Sequence, residues 1–217
     1  EGVSACACVL PVIENHRGLD GARGRTEKGA KAVFDRALYP FQQYEVCGAA
    51  MDMSAPFEKA VRELMPCADI VFDKYHVEAH LSEGVDNTRK DENRWLLARD
   101  DKRLVNSKYL WLKGFEQMSD EAIAKRNDLL KCALDTGKAW GLKELFGWFW
   151  KSRDRHWAKS NFTFWYEQVK KSGLKHMIKV AETLKSHVYG LLAWFDTRIT
   201  NALTEGFNTT IQMLKAT

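Results

Sequence analysis

The chain has 217 residues, 45% of them hydrophobic and 29% charged, with a formal net charge of +4. That length supports one sizeable domain, or one domain carrying a large insertion. The composition excludes wholesale disorder, and no apolar run reaches the roughly 18 residues needed to cross a bilayer.

Val3–Ile13 reads as a strand. It is apolar, but it has no preceding basic region and contains Pro11, so it does not read as a signal peptide. Because the first residue is Glu1, the chain is expected to be trimmed or cut from a longer reading frame. Five cysteines, at 6, 8, 47, 67 and 132, are an odd number without CxxC spacing. They read as reduced thiols of a cytosolic protein, Cys6 and Cys8 filling one strand face. Glycines at 18, 21 and 24 mark turns. Thr26–Leu38 predicts a helix, with Ala30, Val33, Phe34 and Ala37 at the helical period and an end at Tyr39-Pro40.

Two strand-like runs follow, Glu45–Asp52 and Asp69–Asp73. Between them Ser54 can cap a helix with Pro56 in its first turn and Phe57, Ala60, Val61 and Leu64 on its buried stripe. Strand, helix and strand in so short a span form a βαβ unit with parallel strands. From Tyr75 onward the runs 76–97, 120–135, 138–150, 156–171, 174–190 and 194–215 predict amphipathic helices, with a break at Ser172-Gly173. Sheet residues first and a helical array after them is an α/β pattern, α+β by content.

Charge is unevenly distributed. Residues 84–190 carry 22 basic against 14 acidic side chains, and the remainder 11 against 15. The basic stretch includes Lys151, Arg153, Arg155, Lys159, Lys170, Lys171 and Lys175, interleaved with Trp148, Phe149, Trp150, Trp157, Phe162, Phe164, Trp165 and Tyr166. Cations neutralise backbone phosphates and aromatic faces stack on unpaired bases, which suits nucleic acid. The other reading is a helical layer with tryptophans in the core and lysines in solvent.

The βαβ unit puts Asp52 and Asp73 at the C-terminal ends of adjacent strands, the edge where open α/β sheets gather ligands. Two acids so close repel unless a proton or cation intervenes, and hard divalent ions take such oxygen ligands. In the helix expected around 199–214, Asn201, Glu205, Asn208 and Gln212 form a polar stripe; by spacing alone Glu205 reads as a solvated side chain. His76 and His80 are four apart, but Val77 stands where the zinc-peptidase pattern needs Glu. His76 is expected to hydrogen-bond beside Asp73.

Together A-M-D-M-S (50–54), I-V-F-D-K-Y-H-V (70–77) and L-T-E-G-F-N (203–208) resemble the bacterial DDE transposases of the ISL3 family. G-R-T-E-K (24–28), S-G-L-K (172–175) and D-x-R-I-T-N (196–201) fall in the same order. The resemblance implies an RNase H-like core, residues 1–83 and 191–217, interrupted by an all-helical basic insertion, 84–190. It implies Asp52 and Glu205 as catalytic metal ligands, with Asp73, His76 and Asn208 supporting the site. It implies two Mg²⁺ (or Mn²⁺) ions, cleavage and strand transfer at insertion-sequence ends, and the seven basic residues named above as DNA contacts. The implied partner is DNA, as element ends and target, in the bacterial cytosol and nucleoid; a homodimer is compatible, a membrane is not. The family's first catalytic Asp belongs on the first strand in an Asp-Glu motif, and Val3–Ile13 contains no acid. The chain is therefore expected to be a partial or decayed catalytic domain, inactive as it stands. The alternative is a non-catalytic DNA-binding or interaction protein derived from a transposase.

Overall fold

The computed structural model describes residues 7–12, 17–23, 26–114 and 117–198. They divide into two units, one made of the residues up to His76 with those from Tyr189 onward, the other of Val77–Val188.

In the first unit β1 (Ala7–Val12) pairs antiparallel with β2 (Arg17–Arg23). Gly18 and Gly21, expected in turns, lie within β2 opposite Pro11 and Val9. Pairing overrides glycine's weak strand preference. The register shifts between Val9 and Pro11, where a proline cannot donate to the ladder.

Helix α1 (Glu27–Ala37) starts where expected, the Thr26 hydroxyl accepting the Gly29 N–H at 3.1 Å. The next residues form a helix that the sequence reading passed over, α2 (Pro40–Glu45). Pro40 ends α1 and also opens α2, because a first-turn residue has no N–H to lose. This shortens the following strand, β3, to Gly48–Met51. Helix α3 (Ala55–Leu64) and strand β4 (Asp69–Phe72) complete the expected βαβ unit, with β3 and β4 parallel and Gly48, Ala49, Ala50 and Met51 opposite Asp69, Ile70, Val71 and Phe72. Ser54 occupies the cap position of α3 but makes no side-chain capping bond. Ala30, Phe34, Ala60, Val61, Ile70, Val71 and Phe72 are buried here.

From here on the described chain is helical: α4 (Lys74–Leu97), α5 (Lys108–Leu112), α6 (Asp120–Leu130), α7 (Asp135–Trp150), α8 (Arg155–Ser172), α9 (Lys175–Ser186) and α10 (Val188–Thr197). The five-residue α5 is too short to show a period. Between α6 and α7 the chain turns through Ala133 in the left-handed region, which splits the run read as 120–135. Gly173, at φ 71°, ends α8 at the expected break.

The core of the second unit is aromatic. Phe146 and Phe149 of α7 meet Phe162 and Trp165 of α8, with Phe146 and Trp165 edge-to-face at 4.8 Å. The Trp165 indole N–H donates to the Leu142 carbonyl at 2.8 Å, satisfying the one polar atom of a buried ring.

Back in the first unit, α10 closes on β4 through Gly190. A Cβ there would lie 2.5 and 2.6 Å from two ring carbons of Phe72 and 3.0 Å from the Ile70 carbonyl oxygen, so helix backbone touches strand directly. The neighbouring Tyr189 ring packs edge-on to Phe72 at 5.6 Å, under the Arg62 guanidinium at 4.8 Å. Burial, with the Glu58 carboxylate nearby, pushes its phenol up to about 12. Among the described residues helix predominates, with one antiparallel and one parallel pair of strands: an α-rich mixed fold.

Candidate active site

The parallel pair sets the position of both acids. Met51 lies opposite Phe72, and the ladder runs one bond further, from the Asp73 N–H to the Met51 carbonyl at 3.0 Å. Asp52 and Asp73 are therefore the next residues out on neighbouring strands, whose backbones are about 4.8 Å apart. Directly after Asp52 the chain turns, the Ser54 N–H donating to the Asp52 carbonyl at 2.8 Å, and enters α3. Both aspartates are half-buried.

Asp73 divides its two oxygens between different surroundings. Oδ1 accepts the Tyr75 N–H at 3.1 Å, a helix-capping bond at the start of α4. Oδ2 is buried and has no hydrogen-bond partner among the described residues. A buried carboxylate oxygen left without a partner costs about 1–3 kcal/mol or more. A hard divalent cation suits two such aspartates. His76 does not fill that place: no hydrogen bond joins it to Asp73, and its ring packs against Tyr75 at 5.7 Å instead. Capping takes one Asp73 oxygen, and the helix geometry of α4 carries the imidazole to its neighbour's ring.

Glu205 and Asn208 lie outside the described residues. Among the described residues no three His, Cys, Asp or Glu side chains are grouped to hold a metal. The strand β1 carries Ala7, Cys8, Val9, Leu10, Pro11 and Val12, without a carboxylate.

All seven basic residues singled out in the sequence are exposed. Some already have counterions: Arg153 pairs with Asp154 at 3.0 Å, Lys170 with Glu182 at 2.8 Å and Lys175 with Asp91 at 2.6 Å. The ammonium groups of Lys151, Lys159 and Lys171 have no ion-pair partner among the described residues. No described helix is long and apolar enough to cross a membrane.

Sequence reading missed a pair of acids that organise the second unit. Glu92 on α4 accepts the Asp135 and Thr136 N–H groups, each at 2.8 Å, and the Thr136 hydroxyl at 2.6 Å, capping α7 from 43 residues away. Beside it Asp91 accepts from Lys175 at 2.6 Å and from His176 at 2.8 Å and pairs with Arg94, and these hydrogen bonds hold its carboxyl well below the usual range. Neither acid stands out in the sequence, because the Asp135 and Thr136 partners of Glu92 and the Lys175 and His176 partners of Asp91 lie on distant helices.

The family model described as Transposase, of the ISL3 DDE type, matches residues 4–217. The transposase for insertion sequence element IS1001 from Bordetella parapertussis is 27% identical over 195 residues, covering 88% of this chain and 48% of the relative. The chain thus spans about half the length of that curated relative. No solved structure matches it. With a model match over nearly its whole length, and the acids of A-M-D-M-S and I-V-F-D placed side by side at one sheet edge, the chain belongs to the ISL3 family of transposases.

Proposed function

We propose that this chain is part of the catalytic domain of a DNA transposase that processes insertion-sequence ends, with its first unit as an RNase H-like core and its second as a helical, DNA-contacting insertion. The observation that carries the reading is the adjacency of Asp52 and Asp73 at the C-terminal edge of β3 and β4, with one Asp73 oxygen buried and without a partner among the described residues. Asp52 and Glu205 serve as cation ligands. Asp73 holds the start of α4 in place with one oxygen while offering the other to the site, and His76 and Asn208 shape its surroundings. Bound Mg²⁺ or Mn²⁺ would supply Lewis-acid activation for phosphoryl transfer. The exposed cations Lys151, Arg153, Arg155, Lys159, Lys170, Lys171 and Lys175 contact phosphates.

A second reading, a non-catalytic DNA-binding derivative, is favoured by the absence of any carboxylate on β1. In the proposal this chain is accordingly silent in cleavage as it stands. Calorimetric titration with Mn²⁺ separates the two readings. Binding that Asp52→Ala abolishes supports the catalytic-domain assignment, with no cut made in element-end DNA. Salt-dependent DNA binding without any cation binding supports the derivative instead. Absence of both would remove the DNA-processing reading altogether.

A further inference from the structure

We propose that the outer face of α8 binds an unpaired DNA strand, Trp157 and Phe164 stacking on its bases while Lys159 and Lys171 meet its phosphates. The inference rests on the DNA-processing reading and specifies which form of DNA this face takes.

The folded chain sorts the aromatics of this region into two groups. Phe149, Trp150, Phe162 and Trp165 are buried, whereas Trp148 on α7 is exposed and, on α8, Trp157 and Phe164 are 48% and 54% exposed. The two exposed rings are seven residues apart, two helical turns, and so share one face about 10.5 Å apart along the axis. That separation corresponds to about three base-stacking steps of 3.4 Å. Lys171 stands a further two turns along the same stripe.

A shallow cavity of about 520 Å³ lies beside the Phe164 ring, lined also by His156, Lys159, Ser160, Thr163 and Glu167. The ammonium groups of Lys159 and Lys171 are exposed and have no ion-pair partner among the described residues. The Arg153 guanidinium lies over the Trp157 ring at 5.4 Å, adding a planar cation to the stacking surface. Unneutralised cations alone would fit any phosphate backbone. Exposed ring faces on the same helix fit a strand whose bases are not already stacked in a duplex, because only such bases present a free π-face to cover the apolar surface.

The test is fluorescence anisotropy with oligothymidylate of about 12 nucleotides and a duplex of equal length. Trp157→Ala and Phe164→Ala should each weaken single-strand binding roughly 5- to 150-fold while leaving duplex binding unchanged. Circular dichroism of both variants should match the parent, since neither ring belongs to the core. Lys159→Ala with Lys171→Ala should weaken both forms and reduce the salt slope. Parent-like single-strand affinity in the ring variants would overturn the stacking proposal and leave the DNA-processing reading standing. If the ring variants lose self-association in sedimentation and keep DNA binding, the face covers a second copy of the chain and the proposal fails. If the parent binds neither form, both the proposal and the DNA reading fall.

Discussion

Replacing Gly190 by Ala adds one methyl group where α10 meets β4. Its carbon would fall 2.5 Å from one ring carbon of Phe72, 2.6 Å from a second and 3.0 Å from the Ile70 carbonyl oxygen. None of these neighbours yields easily. Phe72 is fully buried and faces Tyr189 edge-on, and the Ile70 carbonyl belongs to a strand. Overpacking of this kind costs about 1–3 kcal/mol, and contact with both a ring and a backbone oxygen places it near the top of that range. The gain in helix propensity returns at most about 1 kcal/mol. The net expectation is a loss of about 2 kcal/mol, read as a lower urea midpoint. Gly141→Ala in α7 is the matching control: nothing lies within 4 Å of the Cβ it would add, so the same substitution should stabilise by about 0.5–1 kcal/mol. Opposite signs for the two variants support direct helix–strand contact. A neutral or stabilising Gly190→Ala would refute it.

Glu92→Ala removes the carboxylate that caps α7, and should cost about 2 kcal/mol; faster amide exchange at Asp135 and Thr136 is the specific sign, and unchanged protection there would count against the cap. Asp91 bears on acid stability. Its carboxyl titrates below the unfolded value because Lys175, His176 and Arg94 surround it. Its stabilisation is therefore complete above about pH 4 and is lost as the pH falls below that toward the folded value. Asp91→Asn should flatten the fall in stability below about pH 4, and a slope there equal to the parent's would exclude Asp91 as its source.

Local rules read well wherever a segment's own residues settle its conformation. Helix α1 begins beside Thr26, Gly173 ends α8 and the βαβ unit is parallel, each as expected from spacing and turn chemistry, whereas Ser54 makes no capping bond. They failed where pairing or brevity outweighed propensity: glycines drawn into β2, a proline that both ends α1 and opens α2, and α5 too short to show a period. The candidate site follows the same division. Asp52 and Asp73 were legible as neighbours because a parallel crossover aligns strand ends, but the unpaired oxygen of Asp73 was not, since burial depends on what packs above it.

Residue order alone was enough to specify the helical period, the crossover, the basic stretch and the ordered motifs of a transposase, because each depends on neighbours within a few turns. Folding settled which aromatics are core and which face solvent, which lysines keep a counterion, and how Gly190 lets a helix rest on β4. Those outcomes depend on contacts between segments far apart in the chain, and spacing carries no information about such contacts.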